Sequence, residues 1–364
     1  MIGINKRGET MWRATEDRSI VDEKGKVIFF SADRFINDIC LGDCCFICGA
    51  RPDEKPFNNE HILPEWLLRR YDLFAKTITL PNGSTVRYDR YVVPCCAECN
   101  SLMGDVVERP ISQVIQSGVV GTNEFLSKGG GLKMFVWMGL IFLKTHLKDR
   151  ALRVHPDTRK GEGKIADEYE WEYLHHIHSV VRCFYNDCFV EAESVGSFLA
   201  IPVRAQASRE RFDFADLYLA QTMLLRLDDM AMLTVFNDSG GAMSYFWRAL
   251  EKITGPVSEL QLREIMVELA YLNLHLRERP TFRTECDLVN ERCRIIATRP
   301  KLDLMDMDPR LRGKLLHHAV KHALPHIRTP GRTEEELLEA IIAGNFTFLF
   351  NDDGEFIKDS WTPL

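Results

Sequence analysis

The chain has 364 residues, 45% of them hydrophobic and 27% charged, which is enough apolar material for at least one real core and enough length for two domains. Disorder is excluded as the default. A formal charge of −7 also excludes a chain-wide electrostatic grip on nucleic acid, so any contact with a polyanion has to be local.

The first 30 residues contain no apolar stretch of signal-peptide length, so they read as an N-terminal arm on a protein of the reducing cytoplasm, where cysteines serve as ligands or free thiols. Seven of the eleven cysteines follow within 60 residues: Cys40, Cys44, Cys45, Cys48, Cys95, Cys96 and Cys99. Two pairs have ligand spacing, Cys45-Phe-Ile-Cys48 and Cys96-Ala-Glu-Cys99. A two-residue gap lets both thiolates of a pair face one ion, and two such pairs complete the tetrahedral shell that structural zinc prefers. Cys44 and Cys95 stand one residue earlier and offer a three-residue gap that zinc also accepts. The register is open between the two sets, with Cys45 and Cys96 favoured because the same spacing then occurs twice. A closed four-thiolate shell leaves no open coordination position, so chemistry has to come from residues that the metal positions.

Between the pairs, Glu60 and His61 stand just ahead of Pro64, which starts a helical pattern through Trp66, Leu67, Tyr71 and Phe74. The segment "TITLPNGSTVRYDRYVVP" alternates on both sides of Asn82-Gly83, a pair suited to a tight primed turn, so a hairpin is expected there and a further strand enters Cys96. After Cys99, "NSLMGDVVERP" reads as a helix that stops before Pro110, with Asn100, Gly104 and Glu108 on one face. Arg69, Arg70, Lys76, Arg87 and Arg90 are set against Asp72 and Asp89, a local cationic strip that could follow a phosphate backbone.

The run "KGGG", Lys128 to Gly131, favours a joint over continued helix, and a domain boundary is expected between residues 128 and 129. The apolar run over 132–143 is much shorter than the roughly 20 residues of a membrane helix, so a buried helix and no membrane contact are expected. Residues 129–364 read as a larger, mixed α/β C-terminal domain. Helical patterns cover 132–148, 165–182, 243–278, 311–324 and 333–343. Extended runs include "SFLAIPVRA", "MAMLTVFND" and "NFTFLFNDDGEFI", the last as a hairpin turning at Asp353-Gly354. His175 and His178 are one helical turn apart but lack a third ligand. His317, His318, His322 and His326 lack the glutamate of a zinc-protease helix, since Ala319 stands there; both sets read as structural. "NDSGG", residues 237–241, reads as a plain turn rather than an anion nest.

Three motifs in order, "CFICG", "EHILP" and "VPCCAECNSLMG", spanning about Cys45 to Glu108, closely resemble the zinc-stapled HNH endonucleases. The resemblance implies an α+β fold with a small ββα-metal (HNH) domain over residues 31–128, carrying a four-cysteine zinc site, beside the larger domain over 129–364. It further implies that His61 is the general base, that Glu60 and Asn100 bind a catalytic Mg2+ or Mn2+, and that Cys45, Cys48, Cys96 and Cys99 hold a structural Zn2+. The residue types suit that chemistry. Neutral imidazole can take a proton from water, and a carboxylate with an amide oxygen is a hard donor set for such a cation. Two positions depart from the family pattern: Tyr91 stands where its middle asparagine lies, and Met103 where a lysine is frequent. The expected function is hydrolysis of phosphodiester bonds in DNA, in phage defence or a mobile element, with RNA as the alternative substrate. The rival is a catalytically inactive zinc-dependent module that binds nucleic acid or protein. The larger domain is expected to select a target, protein partner or signal, or to form a homo-oligomer.

Overall fold

The structure, a computed structural model, describes residues 12–204, 211–324 and 333–358. The chain is a mixed α+β protein of helices and several small sheets. It divides into two compact units, one of Met1–Gln116, Leu132–Ser194 and Phe282–Ala297, the other of Ser117–Gly131, Val195–Thr281 and Thr298–Leu364.

In the first unit the described part of the N-terminal arm is folded in. Arg13–Ala14, Ile20–Val21 and Val27–Phe29 form a three-stranded sheet, with Val27, Ile28 and Phe30 buried. The strand Phe57–His61 pairs antiparallel with Val92–Cys96, placing Glu60 opposite Val93 and His61 opposite Val92. Between these strands, the helix Glu65–Arg70 follows Pro64. The expected hairpin pairs Thr77–Thr79 with Thr85–Arg87, and Gly83 takes the left-handed conformation (φ 81°) that its turn needs. The second strand then runs straight into the helix Ala97–Met103. Strand, insertion, strand and helix thus follow in the expected order.

That helix does not stop before Pro110. It widens into a π turn over Gly104–Glu108 and continues as Arg109–Gln116, because the looser register tolerates a proline without an N–H and makes room for its ring.

The apolar run forms the helix Gly131–Asp149, in which every residue from Met134 to Leu147 is buried, as expected of a helix apolar on all sides. The helical stretch Gly118–Asp149 is long and apolar enough to cross a membrane by composition, and 61% of its apolar window is buried inside the protein. The glycine run does mark a crossing between units, with Gly129 at φ 90°, but the chain returns to the first unit at Leu132 instead of leaving it. A short strand–strand–helix element buries little apolar surface by itself, and the long helix supplies it. Trp137 stacks on Trp66 at 6.2 Å, and the buried Tyr91 donates its hydroxyl to Asp149 Oδ1 at 2.9 Å. Tyr91 is therefore a core residue.

The second unit holds an antiparallel sheet in the order Phe212–Leu217, Thr222–Leu227, Met230–Val235, Phe198–Pro202. Leu224, Leu233, Ile265, Leu316 and Phe348 belong to its core. The pattern over 243–278 resolves into two helices, Gly241–Leu250 and Glu259–Leu274, since Gly255-Pro256 interrupts it and Ser258 caps the second reciprocally with Gln261. The expected helix over 165–182 is two 3-10 turns and the short helix His175–Val181. The terminal hairpin is a single bridge, Phe350 to Phe356. At "NDSGG" the Asp238 carboxylate itself accepts from the Ser197, Gly240 and Ala242 amides at 2.7–3.2 Å, so the turn caps a helix and leaves no nest for another anion.

Candidate metal centre and the strand that carries Glu60 and His61

Cys45, Cys48, Cys96 and Cys99 are buried, and their Sγ atoms all lie within 4.8 Å of one another. The first two sit on a tight knuckle, closed by bonds from Gly49 N to Cys45 O and from Cys45 N to Ala50 O, each 2.8 Å. Gly49 has φ 76°, and a Cβ there would come within 2.6 Å of the Phe30 ring, so the knuckle needs glycine. Cys96 ends its strand and Cys99 lies in the first turn of the following helix. The two-residue register is therefore the one whose thiols converge. Cys44 is half-exposed and outside the group, whereas Cys95 lies beside it, 3.8 Å from Cys45 Sγ. Four converging thiols fit a tetrahedral ion such as zinc. Hydrogen bonds from Cys48, Cys95 and Cys99 hold the Cys45 thiol well below its ordinary range, while the same contacts push Cys48 up to about 12 and raise Cys95 and Cys99. Among the described residues no other group of three or more such side chains converges in this way.

The knuckle is braced from the helix His175–Val181 and the residue after it. His178 Nε2 donates to Phe46 O at 2.8 Å, and Arg182 Nε donates to Ile47 O at 2.5 Å; these are the two carbonyls between Cys45 and Cys48. Arg182 also bonds Val27 O at 2.6 Å and Ile28 O at 3.4 Å. His175 and His176 donate to Phe30 O and Ser194 O in the same manner. Burial holds the imidazoles neutral, lowering His175, taking His176 down to about 4 and His178 well below its usual value. These histidines are braces and not ion ligands. His317, His318 and His322 join no metal-binding group among the described residues, and His326 lies outside them.

The first strand and the helix bring Glu60, His61 and Asn100 into one strand–strand–helix element but do not bond them to one another. Glu60 is buried, and its Oε1 accepts from Lys144 Nζ of the long helix at 2.6 Å. The same ammonium donates to His61 O at 2.8 Å and lies 3.8 Å from Glu108 Oε1. Half-buried Asn100 spends its Nδ2 on Asn58 Oδ1, 2.9 Å away. Asn58 and Glu60 share a strand face by alternation, so Asn100 meets the face that carries the carboxylate. His61 is half-buried at the strand end, with Phe74 edge-on at 6.3 Å. No family model, curated protein or solved structure matches the chain. Burial pushes Glu108 up to about 7 against the pull of Lys144. For Lys144, burial works against the ammonium, yet Glu60 and Glu108 outweigh it and hold its pKa above the ordinary lysine value.

The basic strip is less bare than its sequence. Arg69 pairs with Glu65, and Arg87 with Asp89. Arg70 lies over the Tyr71 ring at 5.5 Å. Lys76 and Arg90 are exposed. Sequence reasoning missed Lys144, His178 and Arg182 as parts of the site. The visible signal for Lys144 was a lysine directly after the longest apolar run; for Arg182, which reaches the knuckle through the Ile47 carbonyl, there was none.

Proposed function

We propose that the chain is a metal-dependent, HNH-type endonuclease that hydrolyses phosphodiester bonds in DNA. The observation that supports this reading is the four-cysteine staple across a strand–strand–helix element, with Glu60 and His61 on its first strand and Asn100 in the opening turn of its helix. In this reading Zn2+ at Cys45, Cys48, Cys96 and Cys99 holds the element in shape. A bound Mg2+ or Mn2+ would supply positive charge against the phosphate oxygens. Glu60 and Asn100 are the residues that would hold it. Lys144 takes Oε1 of Glu60, and Oε2 has no hydrogen-bond partner among the described residues; Asn100 bonds Asn58 through its amide nitrogen, which leaves its oxygen as a donor to a cation. His61, half-buried at the strand end, would take the proton of the attacking water as a neutral imidazole. Arg90, with Arg70 and Lys76, would line the path of the backbone. The second unit would select target, partner or signal, as a phage-defence or mobile-element nuclease requires.

One competing reading has an observation in its favour: the ion pair of Glu60 with Lys144 suits a zinc-dependent binding module that does not cut. Incubating the purified chain with supercoiled plasmid and with RNA, in Mg2+ or Mn2+ and in chelator, separates them. The proposal expects nicked or linear DNA only with a divalent ion. Bound but intact nucleic acid under every condition gives the binding module, and cleavage of RNA alone gives an RNA nuclease.

A further inference from the structure

We infer that Lys144 is a positioning residue for the cation that Glu60 would hold, an inference that rests on the nuclease reading above. Its ammonium is fully buried directly after the apolar run of the long helix, a placement that is costly unless the charge is matched and hydrogen-bonded. It is matched from two other elements. Glu60 Oε1 and the His61 carbonyl belong to the first strand, and Glu108 belongs to the π turn that follows the site helix. Two consequences follow from the geometry. Glu60 Oε1 is shared with the ammonium, so Oε2 is the freer oxygen for a metal. The peptide that carries the His61 imidazole is tied to the same ammonium, so carboxylate and base are set by one group that itself touches no substrate.

Removing the ammonium makes the inference testable by a gain. Glu60 and Glu108 both lie within 4 Å of Lys144 Nζ; without it they form a pair of carboxylates, one buried and one half-buried, with no cation between them, which is a donor set for a hard divalent ion. Lys144→Met should therefore bind a divalent ion more tightly and use it less well. A residue that merely filled space would give neither effect.

The experiment titrates Mn2+ into the full zinc-loaded chain and follows free Mn2+ by electron paramagnetic resonance, for wild type, Lys144→Met and Lys144→Met with Glu60→Gln. We expect Lys144→Met to bind Mn2+ at least about tenfold more tightly and the double variant to lose that gain, a change of the size usual for a residue that tunes a metal site. With saturating Mn2+, plasmid cleavage by Lys144→Met should fall at least about tenfold in kcat while KM for plasmid changes little. A folded Lys144→Met chain whose Mn2+ affinity equals or falls below wild type overturns the inference, whether or not wild type cuts DNA; where wild type cuts, so does unchanged turnover. A gained Mn2+ site with no cleavage by wild type overturns the nuclease reading alone. Should Lys144→Met fail to fold, Glu108→Gln gives Glu60 sole claim on the ammonium and should weaken Mn2+ binding at least about threefold; unchanged or tighter binding then overturns the inference.

Discussion

Replacing Arg182 by methionine should loosen the zinc without touching a ligand. The side chain is 1% exposed, and its guanidinium donates to Ile47 O, Val27 O and Ile28 O at 2.5, 2.6 and 3.4 Å. Methionine keeps most of the packing but none of the donors. Each buried carbonyl left without a partner costs about 1–3 kcal/mol, and removing a buried cation returns part of that. Only the Ile47 bond lies within the knuckle, so the loss felt by the metal is a fraction of the total. A zinc ion with four thiolates also carries net negative charge, which a nearby buried guanidinium offsets. We expect zinc affinity to fall about 10- to 100-fold, the usual effect of losing an outer-shell partner, or about 1.4–2.8 kcal/mol. His178→Phe removes one bond to the knuckle and no charge, and should sit at the lower end. Competition with a chromophoric chelator at fixed pH measures both. An Arg182→Met chain that folds and holds zinc as tightly as wild type would show that the brace is unimportant to the metal.

Cys99→Ser should lose the metal, about one zinc per chain in wild type, together with the cooperative unfolding of the first unit; elemental analysis beside circular dichroism checks this, and full zinc in a well-folded variant would contradict it. Asp149 is pushed up to about 7 by burial, against the Tyr91 hydroxyl bond that pulls it down. Its folded pKa thus lies above its unfolded one, so its contribution is complete below about pH 4 and is lost as pH rises through about 7. Asp149→Asn should remove a slope of up to about 1.4 kcal/mol per pH unit, seen as a smaller fall in melting temperature between pH 5 and 8 than in wild type; parallel profiles would refute it. Arg90→Ala should weaken binding of any nucleic acid and reduce the salt slope by about 1, whereas Arg87→Ala, whose charge Asp89 already meets, should do less. Equal effects in salt titrations would move the backbone path elsewhere.

Much of the first unit was legible because its signals are local. Two cysteines at a two-residue spacing face one way whatever the surroundings, and Asn82-Gly83 encodes its own turn. The zinc register became visible only once the strand pairing placed Cys96 opposite Phe57 and left Cys44 outside the group. What stayed hidden depends on contacts distant in sequence. Lys144 reads as the polar end of an apolar run until the fold puts Glu60 beside it. Arg182 reads as a surface arginine until its carbonyl partners arrive from residues 27 to 47. The glycine run lies where the chain passes between the two units, but local flexibility does not say which core the next helix will fill. The strand Thr222–Leu227 was missed because a continuous apolar run in a buried sheet lacks the alternation that marks a half-exposed one, and Phe212–Leu217 because its two aspartates break the apolar pattern.

The central claim is that His61 does chemistry and the cysteines only hold it in place. Cleavage of supercoiled plasmid by His61→Ala, in Mn2+ and at equal zinc content, tests that most directly. The claim predicts a fall of about two to four orders of magnitude, the usual size of a lost general base, with zinc and melting temperature unchanged. Cleavage at the wild-type rate, or a variant that loses its fold, would make His61 a structural histidine and contradict the account.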